Sequence, residues 1–144
     1  VRPRIIIVED DEQILSLLSE YFQAKGYEIV ACSEPLTCPA YVGGRCDCPE
    51  GFVCGDVLIT DNRMPRMSGI DFIKNQIRAG CKGITQNKAI LSGSFTPGEV
   101  EHASALGCAC FEKPFSLPEL GRWVEEAMRN VDSNRKLRDL TGAT

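Results

Sequence analysis

The chain has 144 residues, 43% hydrophobic and 25% charged, with a net charge of −4, which bounds it to a single globular domain of ordinary composition. Lys and Arg are scattered without a basic stripe, so there is no electrostatic case for direct nucleic-acid binding. No apolar run approaches the ~18 residues of a membrane span, and the first residues lack a signal-peptide pattern, so no membrane association and a cytoplasmic location are the expectation.

Residues 4–8 read as a continuous buried strand, Ile5-Ile6-Ile7-Val8, and acids follow it directly: Glu9, Asp10, Asp11 and Glu12. Residues 11–25 carry Ile14, Leu18, Tyr21 and Phe22 at helical spacing, and Gly26 ends the helix. Residues 28–32 form a second short strand. Residues 33–55 interrupt the pattern with Pro35, Pro39, Gly43, Gly44, Pro49, Gly51 and Gly55, a density that argues against a regular helix. A third strand over 56–60 ends at Asp61, and a helix over 69–79 turns Ile70, Ile73 and Ile77 inward. The fourth strand, 88–91, ends in Ser92-Gly93-Ser94. Thr96-Pro97-Gly98-Glu99 is a helix start, with a capping hydroxyl, Pro at the first helical position and Glu to close the box. The fifth strand, 108–111, runs into Lys113-Pro114-Phe115. Ser116 caps a last helix with Leu117, Leu120, Val124 and Ala127 inward, and after Asn130 the chain turns polar, as a fraying tail or helix extension over 131–144.

Strands alternating with helices imply a parallel sheet covered on both faces. Ligands and chemistry in such sheets gather outside the carboxyl ends of the strands. Four of the predicted strand ends carry, in order, acids, an acid, a hydroxyl and an ammonium. With the loop Asp61-Asn62-Arg63-Met64-Pro65-Arg66-Met67-Ser68-Gly69, this constellation resembles the receiver domain of bacterial two-component response regulators. The resemblance covers roughly residues 4 to 130. It implies an α/β, flavodoxin-like, doubly wound five-stranded sheet of order 2-1-3-4-5. The receiver domain would span 1–130, with the irregular Cys-rich segment 33–55 replacing or extending the second helix.

The resemblance also implies a function. Asp61 would accept a phosphoryl group from a histidine kinase or phosphotransfer protein as an acyl phosphate. Mg2+ (or Mn2+) would offset the repulsion between the two anions, and it needs only one or two protein carboxylates. Asp10 would be a direct ligand and Glu9 a ligand through water, joined by Asp61 and the backbone carbonyl of Arg63. Asp11 would cap the first helix; a register slip of one would make Asp10 and Asp11 the pair. Lys113, before a cis proline, would supply a fixed positive charge, and Ser92 would be the hydroxyl that moves to the phosphoryl group. Receivers of this kind usually carry Tyr, Phe or His three residues before the lysine. Here that position is Cys110, with Phe111 after it, which puts the coupling of hydroxyl and aromatic in doubt. Arg63 would point toward the site mouth. Receivers often pair through the fourth strand, the helix after it and the last helix, so a homodimer is a further expectation. The start at Val1 rather than Met suggests an excerpt of a longer protein and leaves room for an effector domain.

Eight cysteines are many for this length. Cys38, Cys46, Cys48 and Cys54 lie in the irregular segment with seven, one and five intervening residues. They fit a second metal site, with Zn2+ the expected ion, but zinc ligands usually come in pairs two to four residues apart, and no C-x-x-C occurs. A disulfide-forming or redox-sensing loop and unpaired thiols are the alternatives. Cys32, Cys108 and Cys110 read as small core residues on strands, and Cys81 as a loop thiol with no evident partner. His102, the only histidine, falls in a helix with a solvent-facing role. Among other function classes, a haloacid-dehalogenase-type phosphatase needs a second Asp two residues after the nucleophile, where this chain has Arg63. No G-x-x-x-x-G-K-[ST] loop and no Ser-His-Asp set is present. The expectation is a switch rather than an enzyme, with only self-phosphorylation and autodephosphorylation chemistry.

Overall fold

The computed structural model describes residues 2–41, 43–81 and 87–140. Its main sheet comprises β1 (Arg4–Val8), β2 (Glu28–Cys32), β4 (Val57–Asp61), β5 (Lys88–Ser92) and β6 (Cys108–Glu112), in spatial order β2-β1-β4-β5-β6. All of its pairings are parallel. Counting only these five strands, the order is the expected 2-1-3-4-5.

The β-branched runs sort by strand alternation onto two faces. Ile5 and Ile7, with Val57, Ile59, Ala89 and Leu91, face α1 (Glu12–Ala24) and α4 (Leu117–Met128) through Leu18, Phe22, Leu120 and Val124. Ile6, Val8, Leu58 and Ile90 face α2 (Gly69–Arg78) and α3 (Pro97–Ala105) through Phe72, Ile73 and Ala103. Removing such a side chain from water stabilises the fold by about 1.5–3 kcal/mol for each fully buried Ile, Leu or Val. The sheet is thus fixed by burial on both faces, which leaves its carboxyl edge free to carry polar groups. The buried side of α2 centres on Gly69, Phe72, Ile73 and Gln76. That leaves Ile77, expected inward, 43% exposed.

The helix starts follow local chemistry. Asp11 caps α1 by accepting from the amides of Gln13 and Ile14, Thr96 and Glu99 form a reciprocal capping box on α3, and Ser116 caps α4. His102 is exposed on α3, as expected. Among the described residues, no helix is long and apolar enough to cross a membrane.

Among its described residues, the segment between β2 and β4 holds no α-helix. It contains a single 3-10 turn, Pro35–Thr37, and the two-residue strand β3, Phe52–Val53. The covering on this side is completed from the far end of the chain. Beyond α4 the residues do not extend the helix or fray; they return as β7 (Lys136–Leu137), parallel to β3. The reason is electrostatic. Asp56, 1% exposed at the amino end of β4, accepts Arg135 Nε at 2.8 Å and Nη2 at 2.7 Å, along with the backbone amide of Arg4 at 2.9 Å. The carbonyl of Arg138 accepts Arg4 Nη1 at 2.6 Å. A buried carboxylate requires such partners, and the polar tail supplies them. Residues 141–144 of the expected tail lie outside the described residues.

Candidate functional site

Three strand ends converge at the carboxyl edge. Glu9 follows β1, and its amide donates to Cys32 O at 3.0 Å. Asp61 is the last residue of β4. Lys113 follows β6, its amide bonded to Ser92 O at 2.8 Å, and the Lys113–Pro114 peptide is cis. The Lys113 ammonium reaches both acids, with Nζ 2.8 Å from Glu9 Oε1 and 3.0 Å from Asp61 Oδ1. Glu9 is fully buried and Asp61 is 4% exposed, whereas Asp10 is exposed. Carboxylate oxygens of Glu9, Asp10 and Asp61 all lie within 4.8 Å of one another. The structure therefore brings together four of the residues singled out in the sequence, and it places Asp11 in the capping role rather than in the pocket.

The electrostatics follow from this crowding. Burial pushes the Glu9 carboxyl up to about 7; the charges of Asp61 and Asp10 add to this, and Lys113 works against it. Burial likewise raises Asp61, with Asp10 adding to the shift and Lys113 opposing it. Burial works against the Lys113 charge, but the bonds to Glu9 and Asp61 outweigh it and hold its pKa above the usual lysine value. Three carboxylates share one ammonium, so the pocket carries surplus negative charge. Glu9 Oε2 is buried without a hydrogen-bond partner. An all-oxygen donor set with one orphaned carboxylate oxygen suits a hard divalent cation of the Mg2+ type.

Ser92 ends β5 fully buried. Its Oγ donates to Ser94 O at 2.9 Å and accepts from the Ser94 amide at 3.4 Å. Arg63 turns sideways from the mouth, its Nη2 3.2 Å from Glu99 Oε1 and 3.4 Å from Ser94 O. Cys110 pairs with Ile90 in register on β6 and packs on the α2/α3 face. Phe111 projects to the other face, edge-on to Trp123 at a centroid distance of 6.1 Å. The neighbouring ring therefore does not replace the missing aromatic on the α3 side.

Asn62 was not assigned a role from the sequence. Its amide donates to Leu91 O at 2.9 Å, its Nδ2 to Glu99 Oε2 at 2.9 Å, and its Oδ1 accepts the Ile70 amide at 3.2 Å. It shapes the loop that presents Asp61. An Asn directly after a strand end is the available signal, since Asn readily hydrogen-bonds nearby backbone. Gly69 is required at the same turn: a Cβ there would lie 2.4 Å from Asp61 O.

Among the cysteines, the structure revises the expected set. Cys38 is buried and interacts with Cys32, away from the other three. Cys46, Cys48 and Cys54 line a different cavity, where Cys81 joins them. Cys81 is buried, and its nearby thiol raises the pKa of Cys54.

A doubly wound parallel sheet with an acidic pocket and a lysine at its carboxyl edge defines a flavodoxin-like α/β domain. The chain belongs to the response regulator receiver domain family, whose description matches residues 5–125. It is 30% identical over 141 residues to the regulatory protein AtoC of Escherichia coli K12, covering 95% of this chain and 28% of that protein. It is 25% identical to the transcriptional activator protein PfeR of Pseudomonas aeruginosa, covering 92% of this chain and 40% of the relative. The chain thus spans well under two thirds of these relatives. Among solved structures, the chemotaxis response regulator CheY4 of Vibrio cholerae superposes with a TM-score of 0.69 at 22% identity, over 88% of this chain and 99% of that one. The HemR receiver domain of Leptospira biflexa gives 0.71 at 24% identity, over 88% and 94%. These two likenesses bear on the fold.

Proposed function

We propose that the chain is a phosphoacceptor switch in which an Asp61 carboxylate oxygen takes a phosphoryl group from a histidine kinase or phosphotransfer protein. The observation that carries this reading is the Lys113 ammonium held between Glu9 Oε1 and Asp61 Oδ1 at 2.8 and 3.0 Å. The carboxylate attacks phosphorus, the phosphorus–nitrogen bond to the donor imidazole breaks, and the imidazole keeps the electron pair and takes up a proton. The product is an acyl phosphate on Asp61. Lys113 remains within reach of the new phosphoryl oxygens and offsets their charge. Asp10, Asp61, Glu9 and the backbone carbonyl of Arg63 would hold the Mg2+ (or Mn2+) ion, which when bound supplies positive charge against the repulsion of the two anions.

The Ser92 hydroxyl, now bonded to the Ser94 carbonyl, would exchange that acceptor for the phosphoryl group, and the added charge of roughly −2 would bias the neighbouring surface. Chemistry would be limited to phosphorylation of the chain itself and hydrolysis of its own acyl phosphate. At the position where a phosphatase of the related class holds its general acid, Arg63 is paired with Glu99. The apolar hollow lined by Ile14, Leu17, Pro114, Phe115 and Leu117 reaches Lys113, which contacts Asp61, and it suits the donor protein. Such a donor places the exchange in the cytoplasm. Output would pass to an effector region or partner protein, or through pairing of two copies, with no nucleic acid bound by this segment itself.

The test is labelling by acetyl phosphate with Mg2+. The unaltered chain should gain one acid-stable, base-labile phosphoryl group, and Asp61→Asn should gain none while keeping its circular dichroism spectrum. Equal labelling of the variant would remove Asp61 from the role.

A further inference from the structure

The segment that stands where a helix was expected gathers thiols around one cavity. Cys46 and Cys48 lie on its outer turn, Cys54 on the stretch between β3 and β4, and Cys81 just after α2. All four line a hollow of about 210 Å³, with Asp47, Gln76 and Arg138 beside them. Cys54 and Cys81 are buried in its wall and Cys46 and Cys48 are half-buried, and the electrostatics pair Cys54 with Cys81 and Cys48 with Cys46. The Cys46 amide donates to Ala79 O at 2.6 Å, stitching the turn to the end of α2 next to Cys81. Arg138, carried in by the tail, sets Nη1 at 3.7 Å from Cys48 Sγ and pairs with Asp47. The cavity lies toward the amino edge of the sheet, opposite the carboxyl edge that carries Asp61.

We propose that Cys46, Cys48, Cys54 and Cys81 form a four-thiolate site for a thiophilic divalent metal, with zinc as the ion. Four soft sulfur donors and no imidazole match the closed tetrahedral sites that zinc occupies in structural roles. The Asp47 carboxylate is engaged by Arg138 and leaves the sulfurs as the donors. Four thiolates around a divalent ion carry a net charge of two minus, and the Arg138 guanidinium beside Cys48 is placed to offset part of it. The thiols stand as two pairs. Among the described residues, the three ligand atoms already within 4.8 Å of one another belong to the Glu9, Asp10 and Asp61 cluster. Metal binding must therefore draw the pairs to a common centre, with sulfurs ~3.8 Å apart around Zn–S bonds of ~2.3 Å. Cys46 and Cys48 lie in irregular backbone flanked by Gly43, Gly44 and Gly51, around each of which a Cβ would meet nothing within 4 Å. Each thiol gives up its proton on binding, so loading releases protons and couples metal to folding. The role is structural: the ion ties the helix-replacing segment to the end of α2.

The test uses the full chain, produced with added zinc and purified without chelator under reducing conditions. Plasma mass spectrometry should find one zinc per chain, retained in Cys32→Ser and Cys38→Ser and lost in Cys54→Ser and Cys81→Ser. Should those last variants fail to fold, the unaltered chain loaded with Co2+ decides: a four-thiolate site gives the strong visible bands of tetrahedral cobalt. Sub-stoichiometric zinc, a weak six-coordinate cobalt spectrum, equal loss of metal in Cys38→Ser, or a Cys54–Cys81 disulfide in the thiol-blocked peptide map would each overturn the site. Acetyl phosphate labelling of Asp61 is read separately, so failure here leaves the phosphoacceptor reading untouched.

Discussion

Replacing Arg135 with Ala isolates what the returning tail contributes. In the native fold its guanidinium donates to both oxygens of Asp56, at 2.8 and 2.7 Å, and the side chains of the pair are only 11% and 1% exposed. The substitution leaves a buried carboxylate with one remaining donor, the Arg4 amide at 2.9 Å. Breaking one side of a buried pair costs about 3–5 kcal/mol, and the surviving amide bond places this case near ~3 kcal/mol. With a urea slope of ~2 kcal/mol per molar for a domain of this size, the unfolding midpoint should fall by ~1.5 M. The assay is equilibrium urea denaturation followed by circular dichroism. Labelling of Asp61 by acetyl phosphate should keep its rate, because Asp56 and Asp61 stand at opposite ends of β4, ~16 Å apart at strand rise. A midpoint that does not move would show that the Asp56 clasp does not hold the tail. A slowed labelling rate in still-folded protein would show that the two ends of β4 are not independent.

Three further outcomes follow from the site. Gly69→Ala drives a Cβ against the carbonyl of Asp61, 2.4 Å away; it should cost ~1–3 kcal/mol in denaturation and slow labelling. Gly121→Ala meets only the tip of Tyr21, which can yield, and serves as the mild control. Lys113→Ala leaves Glu9 and Asp61 buried without their ammonium and should lower the labelling rate by ~100-fold or more; a rate within threefold of the unaltered chain would remove Lys113 from the chemistry. Ser92→Ala loses two local bonds to Ser94 and should cost ~0.5–1.5 kcal/mol. It should still label, but with smaller amide shift changes along α3 by NMR; unchanged shifts would separate Ser92 from the switch.

Much of the architecture was readable because burial is written locally. Ile5 to Val8 and Val57 to Ile59 are apolar at every position, as strands covered on both faces must be. Asp11, Thr96 and Ser116 announce their helices by capping chemistry. The pocket was legible for the same reason, since Glu9 directly follows such a run, Asp61 ends another after Thr60, and Lys113 comes just past the last strand of the main sheet. What could not be read depends on pairings between distant positions. Arg135 and Arg138 look like an ordinary polar tail until Asp56 and Arg4 are seen to need them. Strands β3 and β7 have two residues each, too short to show a period. Cys81 belongs with Cys54 because α2 returns to the amino edge of the sheet, a fact of path rather than spacing. Cys38, although in the same segment, turns back to Cys32.

Glu99 distributes its two oxygens among three donors: the Thr96 amide, Asn62 Nδ2 and Arg63 Nη2. It is at once the latch of a helix's first turn and the anchor of the strand-end loop that follows Asp61. Both ties to the loop run through side chains, Asn62 Nδ2 and Arg63 Nη2. Glu99 thereby links the Asn62–Arg63 loop to the first turn of α3, whose outward Val100 is 43% exposed. Position 110 offers a small thiol instead of a ring, so Glu99 is where the loop and α3 meet through hydrogen bonds.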